Sequence, residues 1–426
     1  MSVQSAMRSA VSGLSAQSSR MAAISDNIAN AQTIGYKRSS VSFSAMIAQS
    51  QGGYQAGGVA SASRTEVSKL GIIQNGTSAT DMAVAGRGFF VVSGSGGNAP
   101  VLTRAGSFRP DAEGYLVNAS GYRLMGWPLG PDGKAGSVDY DAINSLKPVN
   151  IASAGATAQP TTNVFFSGNV PSRETGPGAP SDPFRSSVEY FDPLGNSKRL
   201  FIEWQPSTTE NQWILSVSDS DGNPYGSVDV EFASSGPQAG APVSYSNMTG
   251  ATPGFAFDPD TGKMSITAAA GTGTQDITIS FGAPGGFGGV TQFADDFNPK
   301  TTRDGAPVGT LQGVEVTEDG RVVGVFSNNT RRALWQIPLA DVTNPDGLVP
   351  GDGNTFQVSQ DSGAARLYDA NSNGVGAVVG GALEGSNVDI AEELTDLIVT
   401  QRAYSTNAKI IQTADEMLEE AGRLKR

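Results

Sequence analysis

Residues 387–424, NVDIAEELTDLIVTQRAYSTNAKIIQTADEMLEEAGRL, decide how the rest of the chain is read. Apolar or small side chains recur at Ile390, Leu394, Leu397, Tyr404, Ala408, Ile411, Ala414, Leu418 and Ala421. Steps of three and four line these up on one side of a helix and leave charge on the other. Asn387 or Asp389 can cap the start. Asp389, Glu392 and Glu393 load the first turn, and Arg423, Lys425 and Arg426 the last, as the helix dipole favours. The stretch predicts one long helix.

The amino terminus carries a matching pattern. Val3, Met7, Ala10, Leu14, Gln17, Met21, Ile24, Ile28 and Ala31 follow the heptad rule, with Gln17 its polar interruption. At about 1.5 Å per residue the two helices would run roughly 40 and 55 Å. Residues 1–38 hold Arg8, Arg20, Lys37 and Arg38 against Asp26, whereas 386–426 are net acidic, so the ends are complementary in sign. Neither stripe can bury itself alone. The expectation is a helical core domain, 1–34 with 386–426, in which the ends pair as a coiled coil. Its assembly residues would be Val3, Met7, Leu14, Met21, Ile24, Ile28, Ile390, Leu394, Leu397, Tyr404, Ile411 and Leu418, completed by neighbouring copies of the chain.

Composition narrows the chemistry. The 426 residues include no Cys and no His, which removes disulfides, thiol nucleophiles, imidazole-based triads and the usual zinc or haem ligands. A net charge of −13 argues against nucleic acid or an anionic membrane as partner. No run approaches the roughly eighteen apolar residues of a membrane span, and the first residues lack the pattern of a cleavable secretory signal. With 54 Gly and 23 Pro, the interior of the chain fits β-rich domains with many turns.

Between the helices, 35–70 and 363–385 are expected to be extended connectors or hinges. Strand-like runs alternate with turns in 71–148 and 306–362, an inner β domain. They recur in 149–305, an inserted outer β domain of sandwich or barrel type. The fold class expected is mainly β with terminal α-helices.

Motifs for chemistry are weak. Asp219-Ser220-Asp221-Gly222-Asn223 and Asp258-Pro259-Asp260-Thr261-Gly262 resemble pieces of calcium loops, but both lie between strand-like runs and read as hairpin turns. Gly86-Arg87-Gly88 opens like a dinucleotide fingerprint, yet strand-forming Phe89-Phe90-Val91 follows where a helix is required. No catalytic residue, cofactor or metal is expected.

Three stretches carry a family resemblance: Ser25-Asp26-Asn27-Ile28-Ala29-Asn30-Ala31-Gln32-Thr33-Ile34-Gly35-Tyr36-Lys37-Arg38, Gly381-Ala382-Leu383-Glu384-Gly385-Ser386-Asn387-Val388-Asp389, and Gln401-Arg402-Ala403-Tyr404-Ser405-Thr406-Asn407-Ala408-Lys409. They resemble the rod and hook axial proteins of the bacterial flagellum, most of all its hook proteins. The motif positions taken over are Asn30, Thr33, Gly35, Tyr36, Lys37, Arg402 and Asn407. The resemblance implies a structural subunit that polymerises into a curved, flexible, hollow tube, a universal joint carrying torque from rod to filament. It implies terminal helices around an export channel, a first β domain in a middle layer and the inserted domain outside. Implied partners are further copies of the chain, a hook-capping protein, the distal rod protein, the hook-filament junction protein and the flagellar export apparatus. The implied location is the extracellular hook of the basal body, reached by type III export without a cleavable signal peptide. The alternatives are a distal rod subunit, or an extracellular β-rich carbohydrate-binding protein or enzyme.

Overall fold

A computed structural model describes residues 3–48, 55–94, 96, 99–130, 132–179, 182–270 and 273–424. Two helices bracket a chain that is otherwise mainly β: α1 (Val3–Ala29) and α2 (Ile390–Leu424). The chain divides into two compact units, one of Met1–Ala154, Gly313–Val325 and Arg331–Arg426, the other of Gly155–Gln312 and Phe326–Thr330.

In the first unit α1 and α2 pack along each other. Gly13 lies against Asn407 and Arg20 pairs with Asp396, so the helices run antiparallel. After α1 the chain turns at Gly35 and enters a long hairpin, β1 (Ser39–Ala48) with β2 (Gln55–Thr65), paired from Ser39↔Thr65 to Ala48↔Gln55. Residues 39–65 are therefore not an extended connector. β1 alternates Val41, Phe43 and Ile47 with polar or small residues, but the Ser, Ala and Gly of β2 hide the pair from a pattern reading, and backbone pairing together with contact to α1 holds them. The second expected connector is likewise built into sheet: Arg366–Asp369 pairs with Pro338–Asp341, Ala377–Gly380 with Met82–Ala85, and Ala382–Glu384 with Ile73–Asn75.

The β body of this unit has a sheet whose central run places Arg331–Gln336, Tyr122–Pro128, Phe90–Gly94, Val101–Thr103 and Thr355–Gln357 side by side. Phe89, Val91, Leu102, Trp127, Ala340, Phe356 and Leu367 form its core. Gly86 and Gly88, with φ of 123° and 114°, allow close backbone approach: a Cβ on Gly86 would lie 2.9 Å from Gly376 Cα, and one on Gly88 2.9 Å from Val375 Cγ1. The Gly-Arg-Gly run is a packing device leading into a strand.

The second unit pairs two sheets. Strands Phe184–Phe191, Ser197–Pro206, Gln212–Asp219, Pro224–Phe232 and Pro242–Gly250 form an antiparallel meander with alternating buried and exposed residues, as a half-buried sheet demands. The other sheet is mixed. Asn163–Pro171 runs parallel to Gly273–Ser280 and Val290–Phe293, and antiparallel to Asn298–Arg303. Phe166, Trp204, Trp213, Ile266 and Phe281 lie in the shared core, with the Trp204 ring 6.1 Å from those of Phe166 and Phe281. Both calcium-like segments are hairpin turns: Asp219 accepts from the Asp221 and Asn223 amides at 2.9 and 2.8 Å, and Asp258 from the Asp260 amide at 3.0 Å.

Trp204→Ala should destabilise the second unit by about 3–5 kcal/mol, the usual cost of emptying an aromatic core position. Urea denaturation followed by tryptophan fluorescence reads the shift in midpoint.

Candidate functional site: the terminal helices and their junction

The segment between α1 and β1 meets the segment that leads into α2, and a buried carboxylate joins them. Glu384 Oε1 accepts from Lys37 Nζ at 2.7 Å and from the Gly71 amide at 2.9 Å, while Oε2 accepts from Arg104 Nη1 at 3.1 Å. All three side chains are almost wholly buried. Lys37 also donates to the Lys69 carbonyl at 2.7 Å, and Arg104 donates to the Gly86 carbonyl at 2.9 Å with its guanidinium over the Phe89 ring. Burial alone would raise the Glu384 carboxyl, but Arg104, Lys37 and the Gly71 amide outweigh it and leave it below its ordinary value.

Two asparagines work beside this carboxylate. Asn27 accepts from the Ser39 amide at 2.8 Å and the Tyr36 hydroxyl at 3.2 Å, and donates to the Ser39 carbonyl at 2.8 Å. Asn387 accepts from the Arg38 amide at 2.7 Å and donates to the Glu66 and Lys69 carbonyls, both at 3.0 Å. Asn387 thus ties three segments together, and Asp389 caps α2 instead, accepting from the Ala391 amide at 2.9 Å. Arg38 lies against the first turn of α2, bonded to Glu393 and 3.1 Å from Glu392.

Gly35 is required twice over. Its φ is +70°, and a Cβ would lie 2.6 Å from the Ala105 nitrogen. Thr33 donates to Asn30 Oδ1 at 3.1 Å, and Asn30 donates to the Asp26 carbonyl at 2.9 Å. Asn30, Thr33, Gly35, Tyr36 and Lys37 thus belong to one local cluster. Arg402 is apart from it, exposed and, among the described residues, without an ion pair.

The helix seam differs from the apolar stripe read in the sequence. On α2 the least exposed side repeats every seven residues as Glu393, Thr400, Asn407 and Ala414, with Asn407 against Gly13 of α1, Glu393 bonded to Arg38 beyond α1, and Leu397 and Ile411 half-buried beside this row. On α1 the buried positions are Ala10, Ala16, Ala23, Ile24 and Asn27, and Met7, Leu14, Met21 and Ile28 are half-buried. The Val3 side chain lies outside the described residues. Ile390, Leu394, Tyr404 and Leu418 are exposed, as are Ile398, Val399, Ile410 and Met417. Small and polar residues let the helices approach: a Cβ on Gly13 would lie 2.9 Å from Asn407 Nδ2. On another side of α1, Ser12 Oγ accepts from the Val59 amide of β2 at 3.1 Å.

Sequence reasoning did not single out Glu384, Arg104 or Asn27. A lone acid in the apolar and small run Gly380-Gly381-Ala382-Leu383-Glu384-Gly385 was the available signal, since an unpaired buried carboxylate is rare.

Known proteins match this arrangement along its length. Residues 7–37 match the family described as flagella basal body rod protein, and 83–159 the flagellar hook protein FlgE/F/G D1 domain. Residues 169–306 match the flagellar basal body protein FlaE D2 domain, and 379–424 the flagellar basal body rod FlgEFG protein C-terminal family. Flagellar hook protein FlgE of Brucella abortus is 36% identical, with 100% of each chain covered. The chain belongs to the flagellar hook protein family. The hook protein of Rhizobium meliloti is 38% identical, again over 100% of both chains. The crystal structure of Helicobacter pylori flagellar hook protein FlgE2 aligns with a TM-score of 0.44 at 16% identity, over 72% of this chain and 98% of that one. This hook subunit is a structural protein of motility and not an enzyme, and the distal rod assignment is not favoured.

Glu384→Gln should cost about 3–5 kcal/mol at neutral pH, because Lys37 and Arg104 stay buried without their counter-charge. Glu384 titrates below its ordinary value when folded, so its stabilisation is present above the usual carboxylate range and is lost as pH falls through the folded value. The variant should therefore show a flatter acid limb in a pH series of urea midpoints. Gly35→Ala should lose at least about 1–2 kcal/mol from its left-handed backbone alone, readable as a lower thermal midpoint.

Proposed function

We propose that the subunit polymerises through the outward face of α2, together with the uncovered parts of α1, into a curved, flexible, hollow tube. The observation that carries this reading is the inversion of α2. Thr400, Asn407 and Ala414 face its intramolecular partner, while Ile398, Val399 and Met417 stand 51%, 53% and 62% exposed. Burying each large side chain is worth about 1.5–3 kcal/mol, so a row of them left in water favours association strongly. The exposed side chains lie on more than one side of α2, which suits a repeating heterologous contact that does not close on itself.

On this reading the tube is the universal joint that passes torque from rod to filament. The terminal helices, residues 1–34 and 386–426, are its assembly core. Arg402 and Tyr404, which project from α2, contact neighbouring copies. The distal rod protein, a hook-capping protein and the hook-filament junction protein are partners at its ends, and the flagellar export apparatus delivers the chain without a cleavable signal peptide. Whole-length similarity to hook proteins and the family motifs at both chain ends support these assignments.

Ile398→Asp combined with Met417→Asp should abolish polymer in sedimentation and electron micrographs while circular dichroism of the monomer stays unchanged. Polymer of normal yield from the double variant would exclude this face. Wild-type polymer should be curved and bendable; straight, stiff polymer would return the distal rod reading.

A further inference from the structure

The chain contains two Asn-Gly pairs, Asn75-Gly76 and Asn373-Gly374, and the fold treats them in opposite ways. We propose that Asn373 is a site of spontaneous, age-dependent modification, converting to aspartate and isoaspartate, and that Asn75 is protected from the same reaction.

The chemistry needs no enzyme. The backbone nitrogen of the following residue, on losing its proton to solvent base, attacks the asparagine Cγ; the bond from Cγ to the side-chain nitrogen breaks, and ammonia leaves. The resulting five-membered succinimide takes up water at either carbonyl, giving aspartate or isoaspartate. Glycine is the most permissive residue in the attacking position because no Cβ obstructs closure. Three local conditions control the rate in a folded chain: a free attacking amide, a free carboxamide and a backbone able to turn.

Asn373-Gly374 meets all three. Both residues are exposed, in the turn between Arg366–Asp369 and Ala377–Gly380. Among the described residues neither the Gly374 amide nor the Asn373 carboxamide has a hydrogen-bond partner. A Cβ on Gly374 would meet nothing within 4 Å. The turn holds Asn371, Asn373 and Gly374 at φ of 61°, 49° and 77°, the left-handed conformation that Asn and Gly adopt readily in exposed turns. Hydrogen bonds close the loop on either side, from Val375 to Ser372 at 2.9 Å and from Asn371 to Gly376 at 3.0 Å, and leave the labile pair between them unbonded.

Asn75-Gly76 meets none of the backbone conditions. The Gly76 amide is bound to the Gly381 carbonyl at 2.7 Å, and Asn75 is paired with Ala382 in a strand ladder. The space around Gly76 is filled, with Asp81 Oδ2 only 2.5 Å from where a Cβ would sit. Succinimide closure there requires the ladder to open first.

Each event at 373 adds one negative charge, and the isoaspartate product adds a backbone methylene to the turn. In a subunit that stays in place once assembled, the extent of conversion records the age of the polymer.

The test incubates the purified full-length chain in warm, mildly alkaline buffer, folded and in urea, followed by peptide mass spectrometry and isoaspartyl methyltransferase labelling. In the folded chain, conversion at 373 should outrun that at 75 by about tenfold or more, the penalty of breaking a buried backbone hydrogen bond before reaction. In urea the two rates should converge, and Asn373→Gln should remove most of the isoaspartate signal from the folded protein. Equal rates in the folded chain, faster conversion at 75, or no conversion at 373 while the urea sample reacts would each overturn the proposal.

Discussion

A single buried carboxylate, Glu384, sets the constraint on which the terminal architecture rests. It answers two cations contributed by distant parts of the chain: Lys37, just after α1, and Arg104, in the β body. Taking three charged groups out of water is costly, and the arrangement is tolerable only because its geometry is complete, with the Gly71 amide and the Lys69 and Gly86 carbonyls supplying further partners. A misplaced α1 or a slipped strand at Ala382–Glu384 would strand a buried charge.

The helices that depend on this junction are built against the usual economy of a two-helix pair. Alanine, glycine, threonine and asparagine occupy the seam, with Leu397 and Ile411 beside it, and most of the long apolar side chains of α2 are left exposed. Small seam residues permit close approach but bury little area per residue, so the internal pairing positions the helices more than it stabilises them. α1 is further engaged by β2 through Ser12 and Val59, which leaves α2 as the helix with the larger uncovered apolar surface. On the proposed reading this inversion has a meaning: a subunit that works in a polymer keeps its best adhesive surface for its neighbours.

How much was legible in the sequence followed the range of the interactions. Both helices announce themselves because periodicity and capping are local, and the alternation along Ser197–Pro206 or Gln212–Asp219 marks a half-buried sheet directly. The side of α2 that meets α1 was legible only in part. A search for apolar periodicity finds Leu397, Ile411 and Ala414, which lie on or beside the seam, but equally Ile390, Leu394 and Leu418, which are exposed, and it passes over Thr400 and Asn407, the latter fitted against Gly13 nearly four hundred residues away. The hairpin of β1 and β2 was half hidden: β1 does alternate at Val41, Phe43 and Ile47, but its partner β2, QAGGVASASRT, is made of poor strand formers and is held by β1 and by α1. The partners of the buried carboxylate were hidden for a similar reason: the run around Glu384 can mark a buried acid, but Lys37 and Glu384 are 347 residues apart and no local signal says that they meet.

In the second unit the strand near its entry, Asn163–Pro171, is hydrogen-bonded to the strand near its exit, Asn298–Arg303, and just outside them Thr157 pairs with Gly309. The unit thus begins and ends at one place. A main segment, Gly155–Gln312, whose two leads emerge together can be lengthened, trimmed or exchanged as a cassette without moving the points where the host chain is interrupted. Variation in bulk among hook subunits then has a place to accumulate that leaves the Glu384 junction and the terminal helices untouched.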